Sequence, residues 1–252
     1  MTTLPYARCP GQTKPVRALT LVLAALLLVV PTWAAQSKPV VVLDPGHDRR
    51  ANLETESIGP GSTMRKIKDG GGTHGVISGL TEAELTLRVA LRLRSMLDRA
   101  GVYVVMTRTK TAGTSIGNVA RAEIANRAGA ALFLRVHADG STDPRVHGTH
   151  TLHPALRREW TDDVYAASKR AARIVQGEMV RALGFPDRGL QERSDFTGFN
   201  WADVPVILVE MGFMTNPTED RLLASASFQR RAALGLCRGT LRFLERSPAD
   251  CR

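Results

Sequence analysis

The apolar residues of the chain form short continuous runs that alternate with longer stripes at helical spacing. The continuous runs predict buried strands over residues 40–43, 102–107, 131–137 and 204–209, with a shorter strand over 148–152. The stripes predict helices over 81–101, 115–128 and 162–183, followed by a last helical region over 216–246. Strands that alternate with helices are typical of βαβ units, so we predict one α/β domain with a mainly parallel sheet.

One long segment, residues 48–79, shows neither pattern. It is polar, contains the glycine run 70–72 and predicts a loop or a pair of hairpins. Loops of this length inside a compact domain are usually functional. The basic run 64–68 within it is a candidate contact for substrate carboxylates, although a solvated charge run is the simpler interpretation.

The first residues have the layout of a secretory signal peptide. Three basic residues precede the apolar stretch 18–30, and Ala34 supplies a small residue for cleavage. We therefore expect residues 1–34 to be removed and the mature protein to act in the periplasm or cell wall. An uncleaved membrane anchor is the alternative, because no charged residue interrupts positions 18–35.

The chain is basic, with 34 Lys and Arg against 24 Asp and Glu and a net charge of +10. An exported basic domain suits a polyanionic surface, such as an anionic cell-wall polymer or anionic lipid. Nucleic acid is not indicated, because the sequence has no nucleic-acid-binding motif and only 5% aromatic residues.

The cysteines leave two alternatives open. Cys9 would leave with the signal peptide, whereas Cys237 and Cys251 would remain. These two either pair in an oxidising compartment, or Cys237 packs as a thiol inside an apolar helix. No cysteine pattern for a structural zinc site is present.

Three polar residues follow apolar strands and carry the candidate chemistry. His47 lies just after the first strand, and His137 and Glu210 end two later ones. Because ligands bind at the carboxyl ends of strands in an open α/β sheet, we expect the three side chains to share one edge. Two His and one Glu, with a fourth position open, form a familiar catalytic zinc set.

The helix that begins near Thr81 offers two candidates for the glutamate ligand, and the helical wheel separates them. Glu82 points along the apolar stripe of the helix, whereas Glu84 falls on the opposite face with Arg88. Glu84 already has simple roles as partner of the Thr81 cap and of Arg88. A buried carboxylate needs a cation, so Glu82 is the predicted ligand.

Glu210 is the candidate catalytic base. It follows an apolar run, and a carboxylate at that depth is expected to be paired, bound to metal or catalytic. The four other histidines are interpreted as surface or substrate-rim residues: His74, His147, His150 and His153.

Six motifs along the chain resemble those of one enzyme family. They are LDPGH with His47, TEAELTLRVALRLRSML with Glu82, TRT at 107–109, ARAEIAN around Arg121, LRVHAD with His137, and VPVILVEMGFMTNPTED with Glu210. In this order they resemble the zinc-dependent N-acetylmuramoyl-L-alanine amidase catalytic domain of bacterial cell-wall amidases.

The resemblance implies a three-layer α/β/α fold around a six-stranded sheet, with a catalytic domain over 39–246 and a short tail over 247–252. It also implies a Zn²⁺ ion held by His47, Glu82 and His137, with Glu210 as the catalytic glutamate. The implied substrate is peptidoglycan, cut between N-acetylmuramic acid and L-alanine. The sequence does not identify an activator protein.

Two departures from the family pattern concern substrate preference or regulation more than metal binding. One is the 34-residue interval between the first motif and Glu82, and the other is Arg135 and Asp139 in the LRVHAD motif. Two other functions stay open. A zinc carboxypeptidase would need an arginine clamp, for which Arg121 is the candidate, and a non-catalytic wall-binding protein would keep the fold without needing Glu210.

Overall fold

The fold was analysed in a computed structural model, which describes residues 1–2, 38–111, 113 and 115–251. Apart from residues 1–2, the proposed signal peptide lies outside these residues. The strands are β1 (Val40–Pro45), β2 (Asn52–Ser57), β3 (Arg65–Asp69), β4 (Tyr103–Met106), β5 (Leu132–Asp139), β6 (Thr149–Pro154), β7 (Asp187–Arg193) and β8 (Val206–Phe213). The helices are α1 (Glu82–Arg99), α2 (Asn118–Arg127), α3 (Tyr165–Leu183), α4 (Thr197–Asn200), α5 (Pro217–Ala224) and α6 (Ala226–Phe243), followed by a 3₁₀ turn (Pro248–Asp250).

Six strands form the central sheet, in the order β4-β1-β5-β8-β6-β7. The first four in this order are mutually parallel, whereas β6 pairs antiparallel with β8 and parallel with β7. Helices cover both faces of the sheet, and the predicted α/β/α architecture with a mainly parallel six-stranded sheet is confirmed.

Two apolar cores hold the helices on the sheet. The larger core joins α1, α3 and α6 to one face, through residues such as Leu85, Met179 and Phe228. The smaller core joins α2 and α4 to the other face and includes Phe133 and Phe199. Because side chains alternate along a strand, residues of β5 and β8 contribute to both cores in turn.

The structure contains elements beyond the predicted ones. The 48–79 segment contains one antiparallel hairpin, β2–β3, where a loop or a pair of hairpins was predicted. The edge strand β7 was not predicted, because its sequence DRGLQER has no apolar run and most of its residues are exposed or half-buried. The last helical region is two helices, α5 and α6, that meet at Ser225.

The C-terminal segment is fastened to α6 by a disulfide. Cys237 and Cys251 are bonded, with their Cα atoms 6.0 Å apart, so the pairing alternative is the one that the structure adopts. Within the described ranges, no helix combines the length and the apolar content needed to cross a bilayer.

Candidate active site

Three predicted side chains meet at the carboxyl edge of the sheet. His47 follows β1 with φ 58°, His137 lies near the end of β5, and Glu82 starts α1. One donor atom from each lies within 4.8 Å of the others. The Glu82 carboxylate bridges the two imidazoles, with Oε2 3.3 Å from Nε2 of His47 and Oε1 2.9 Å from Nδ1 of His137.

The helical register that directs Glu82 inward is confirmed. The Thr81 hydroxyl accepts a hydrogen bond from the Glu84 amide and so begins α1 as an N-cap. Glu82 is then 4% exposed, whereas Glu84 points outward and pairs with Arg88. Two backbone amides, of Thr73 and Ala138, donate to the Glu82 carboxylate at 3.0 and 3.2 Å and fix its orientation.

Glycines permit the close approach of the backbone to this site. A Cβ on Gly46 would lie 2.4 Å from the His137 ring. Gly72 has φ +74°, and a Cβ there would lie 2.8 Å from both Glu82 and His47. Both positions therefore exclude larger residues, which explains a glycine directly before His47 and one in the run at 70–72.

The charges of the three side chains are strongly linked. Burial alone would lower the pKa of His47, but the Glu82 and Asp69 carboxylates outweigh it and raise that pKa to about 10. Burial would raise the pKa of Glu82, but His47 and His137 outweigh it and hold that pKa far below its ordinary value. Burial lowers the pKa of His137. Nε2 of His137 is buried without a hydrogen-bond partner, and this donor set fits a divalent cation such as zinc.

Asp69, at the end of β3, is a site residue that the sequence analysis missed. Its Oδ1 accepts a hydrogen bond from Nδ1 of His47 at 2.5 Å and one from the Gly71 amide at 2.8 Å. Burial opposes ionisation of this carboxyl, yet the His47 bond and charge lower its pKa to about 2. Because Asp69 binds Nδ1 of His47, the other ring nitrogen, Nε2, faces Glu82.

Glu210 stands next to this cluster on the same sheet face. It is in register with His137 across β5 and β8, and with His150 across β6 and β8. Its Oε2 is buried without a hydrogen-bond partner. Burial, reinforced by the charges of Glu82 and Asp139, raises the pKa of Glu210 well above its ordinary value. Such a carboxyl accepts a proton more readily than an ordinary glutamate does.

One cavity of about 680 Å³ is lined by all four predicted site residues, His47, Glu82, His137 and Glu210. The hairpin forms part of its wall through Lys66, Lys68 and Asp69, while Asp139 and Phe196 contribute from the other side. A cleft of this size lies within the usual range of ligand-binding and active-site pockets.

Known proteins share the sequence family and the fold of this chain. A sequence model described as N-acetylmuramoyl-L-alanine amidase matches residues 41–242. The chain belongs to the N-acetylmuramoyl-L-alanine amidase family. The amidase AmiA of Escherichia coli K12 is 29% identical over 242 residues, covering 82% of this chain and 76% of that protein. An N-acetylmuramoyl-L-alanine amidase of Mycobacterium tuberculosis is 31% identical over 216 residues, covering 81% of this chain and 86% of that protein. The crystal structure of the amidase Ami1 from Mycobacterium smegmatis superposes with a TM-score of 0.74 at 28% identity, covering 82% of this chain and 97% of that one.

In this amidase, the arginine considered as a carboxylate clamp is already engaged. The Arg121 side chain is buried, pairs with Asp44, and donates to Ser115 Oγ and to the backbone carbonyls of Pro45 and His47. Asp44 accepts a second ion pair from Arg135 at 2.8 Å. Arg121 therefore supports the loop that carries His47.

Two of the four histidines assigned to the surface or rim are buried in the amidase. His150 and His153 lie on β6 and are 3% and 2% exposed, so this part of the prediction was wrong. Interior strands carry side chains into both cores, but the sequence THTLHP has no apolar run that would mark β6 as an interior strand. His74 and His147 are exposed, as predicted.

Proposed function

We propose that this amidase is zinc-dependent and that His47, Glu82 and His137 hold the ion. Hydrolysis of the amide between N-acetylmuramic acid and L-alanine in peptidoglycan would then depend on Glu210. The observation that carries this proposal is the group of three donor atoms within 4.8 Å, beside a buried, unpaired Glu210 oxygen in one cavity.

When bound, zinc supplies a Lewis acid that polarises the scissile carbonyl and lowers the pKa of a nearby water. Glu210 accepts a proton from the attacking water and returns it to the departing L-alanine amine. Its raised pKa, caused first by burial, lets the carboxyl act in both steps. Asp69 holds the His47 ring through Nδ1, so that ring does not reorient during the reaction.

A zinc carboxypeptidase fits these residues less well. Such an enzyme needs a cation free to bind the terminal carboxylate of a peptide, and the Arg121 guanidinium is occupied by Asp44 and neighbouring oxygens. A non-catalytic wall-binding protein of the same fold would have no use for a buried, unpaired Glu210. The amidase reaction uses Glu210 as its base and does not need a free arginine, so it agrees with the surroundings of both Glu210 and Arg121.

The proposal extends to location. Peptidoglycan lies outside the cytoplasm, which agrees with the signal-peptide pattern over 1–34. Sequencing the N-terminus of the secreted protein should give a start close to Ala35. Retention of Met1 in a membrane fraction would favour the anchor instead.

Mass spectrometry of purified peptidoglycan tests the reaction. After incubation with the protein, the amidase should release stem peptides with an unblocked L-alanine amine. Loss of terminal residues alone would indicate the carboxypeptidase. The Glu210→Gln variant serves as the matched control, because it keeps the shape of the side chain and should release neither product.

A further inference from the structure

The net charge of the protein is concentrated on one layer of helices. Helices α1, α3 and α6, here called the basic layer, together carry 12 Lys and Arg and four Asp and Glu, a net charge of +8. Residues 38–251 as a whole carry 30 Lys and Arg and 24 Asp and Glu, a net charge of +6. The rest of the domain is thus slightly acidic, and its positive field comes from the basic layer.

The central helix of the basic layer, α6, contains no acidic residue. Four of its exposed positions are arginines: Arg230, Arg231, Arg238 and Arg242. Arg242 pairs with the buried Glu178 of α3, whereas Arg230 and Arg238 have neither a hydrogen bond nor an ion pair among the described residues. An ordinary solvated helix mixes both signs of charge on its surface, and α6 does not.

A groove beside α6 gathers further guanidinium groups. It has a volume of about 470 Å³ and lies between α1 and Arg230, with no carboxylate in its lining. Its lining is Arg88, Leu91, Arg92, Ser95, Met96 and Arg99 of α1, together with Arg230. The Nε atom of Arg92 is buried there without an acceptor. This N–H donor leaves room for an oxygen acceptor, from water or from a ligand, inside the groove.

The composition of the basic layer favours a polymer over a membrane. Helices that lie in a membrane interface insert several large apolar side chains. Among the described residues of α1, α3 and α6, Leu91 is the one large apolar side chain that is exposed, at 41%. Eleven of the 12 cations in these helices are arginines. The planar guanidinium group of arginine can donate two parallel hydrogen bonds to one phosphate.

We propose that the basic layer, centred on the groove of Arg92 and Arg230, binds a phosphodiester polymer of the cell envelope. The groove is formed by the later turns of α1, away from Glu82 at its first turn, so binding there leaves the catalytic cavity open. The polymer would hold the enzyme at the wall while the cavity acts on peptidoglycan.

Salt-dependent binding to soluble poly(glycerol phosphate) tests this assignment. The double variant Arg92→Gln/Arg230→Gln should bind at least about tenfold more weakly than the wild type, because two charge-assisted contacts are lost. The negative slope of log K against log salt should become shallower by about 1.5 to 2 in this double variant. The variant Arg92→Lys/Arg230→Lys keeps both positive charges, so its binding should keep most of the salt dependence of the wild type.

A matched control distinguishes binding at this groove from a general effect of net charge. Arg127→Gln/Arg158→Gln removes the same charge from exposed positions outside the basic layer and should bind nearly as the wild type does. Equal losses in both double variants, or unchanged binding by Arg92→Gln/Arg230→Gln, would overturn the proposal. Equal affinity for poly-L-glutamate would overturn the assignment to phosphate, and tighter binding to phosphatidylglycerol vesicles would assign the layer to a membrane.

The catalytic proposal is tested separately. Release of L-alanine-terminated stem peptides from polymer-free peptidoglycan should be unchanged in Arg92→Gln/Arg230→Gln. Loss of that activity together with a lowered melting temperature would show that the variant acts through folding and would count against a binding role.

Discussion

Asp69 and His47 are 22 residues apart in the sequence, yet Oδ1 of Asp69 lies 2.5 Å from Nδ1 of His47. The contact ties the β2–β3 hairpin to the loop after β1. It also fixes which nitrogen of His47 faces Glu82, because the carboxylate accepts the proton on Nδ1. A carboxylate behind a metal-ligating histidine orients the ring and makes the ligand more basic.

Replacing Asp69 by Ala should therefore weaken zinc binding by about 10- to 100-fold, since the His47 ring loses the contact that orients it. Competition with a chromogenic chelator measures this affinity directly and does not depend on turnover. Glu54→Ala, on the exposed side of the same hairpin, is the matched control and should leave the affinity unchanged. Wild-type affinity in Asp69→Ala would mean that Asp69 only supports the hairpin.

The difference between Glu82 and Asp69 shows how far the sequence can lead. Glu82 could be found because the apolar stripe of α1 fixes its direction, and that stripe is local information. Asp69 reaches the site through the pairing of β2 with β3 and through contacts across the cavity, which no periodicity records. The edge strand β7 was missed for a related reason, since its pairing with β6 does not require an apolar run.

Glu82 and Glu84 should respond in opposite ways to removal. Glu82→Ala should abolish zinc binding and activity, because the bridging carboxylate between His47 and His137 is lost. Glu84→Ala keeps the backbone amide that binds the Thr81 cap and loses only the exposed pair with Arg88, costing about 0.2 to 0.5 kcal/mol of stability with near-normal zinc content. Metal analysis and melting temperature, measured on both variants, separate a lost ligand from a loosened helix. Activity lost in Glu84→Ala and kept in Glu82→Ala would reverse the assignment.

Glu210→Gln should keep zinc and lose turnover by a factor of about 10² to 10⁴, because the amide cannot accept the proton of the attacking water. Its buried Oε2 has no partner in the wild type, so the fold should not depend on the charge. Zinc content and the hydrolysis rate of a soluble muramyl peptide are the two readouts. A variant with near wild-type turnover would require another base.

Two buried ion pairs lie beneath the site. Asp44 is fully buried and pairs with both Arg121 and Arg135. Asp44→Asn would leave two buried guanidinium groups without their counter-charge, which should cost about 3 to 5 kcal/mol in the free energy of unfolding. Asp98→Asn breaks the exposed pair with Arg94 and, as control, should cost less than about 1 kcal/mol.

The same ion pairs predict a specific dependence on pH. Burial raises the pKa of Asp44, but Arg121 and Arg135 outweigh burial and hold it far below its ordinary value. A carboxyl with a lowered pKa in the folded state stabilises the protein at pH values above about 3.9, the ordinary Asp pKa, and loses that contribution as the pH falls below it. The unfolding free energies of wild type and Asp44→Asn should thus differ most above about pH 5 and converge toward pH 2. A difference that stays constant over this range would mean that Asp44 acts through packing and not through its charge.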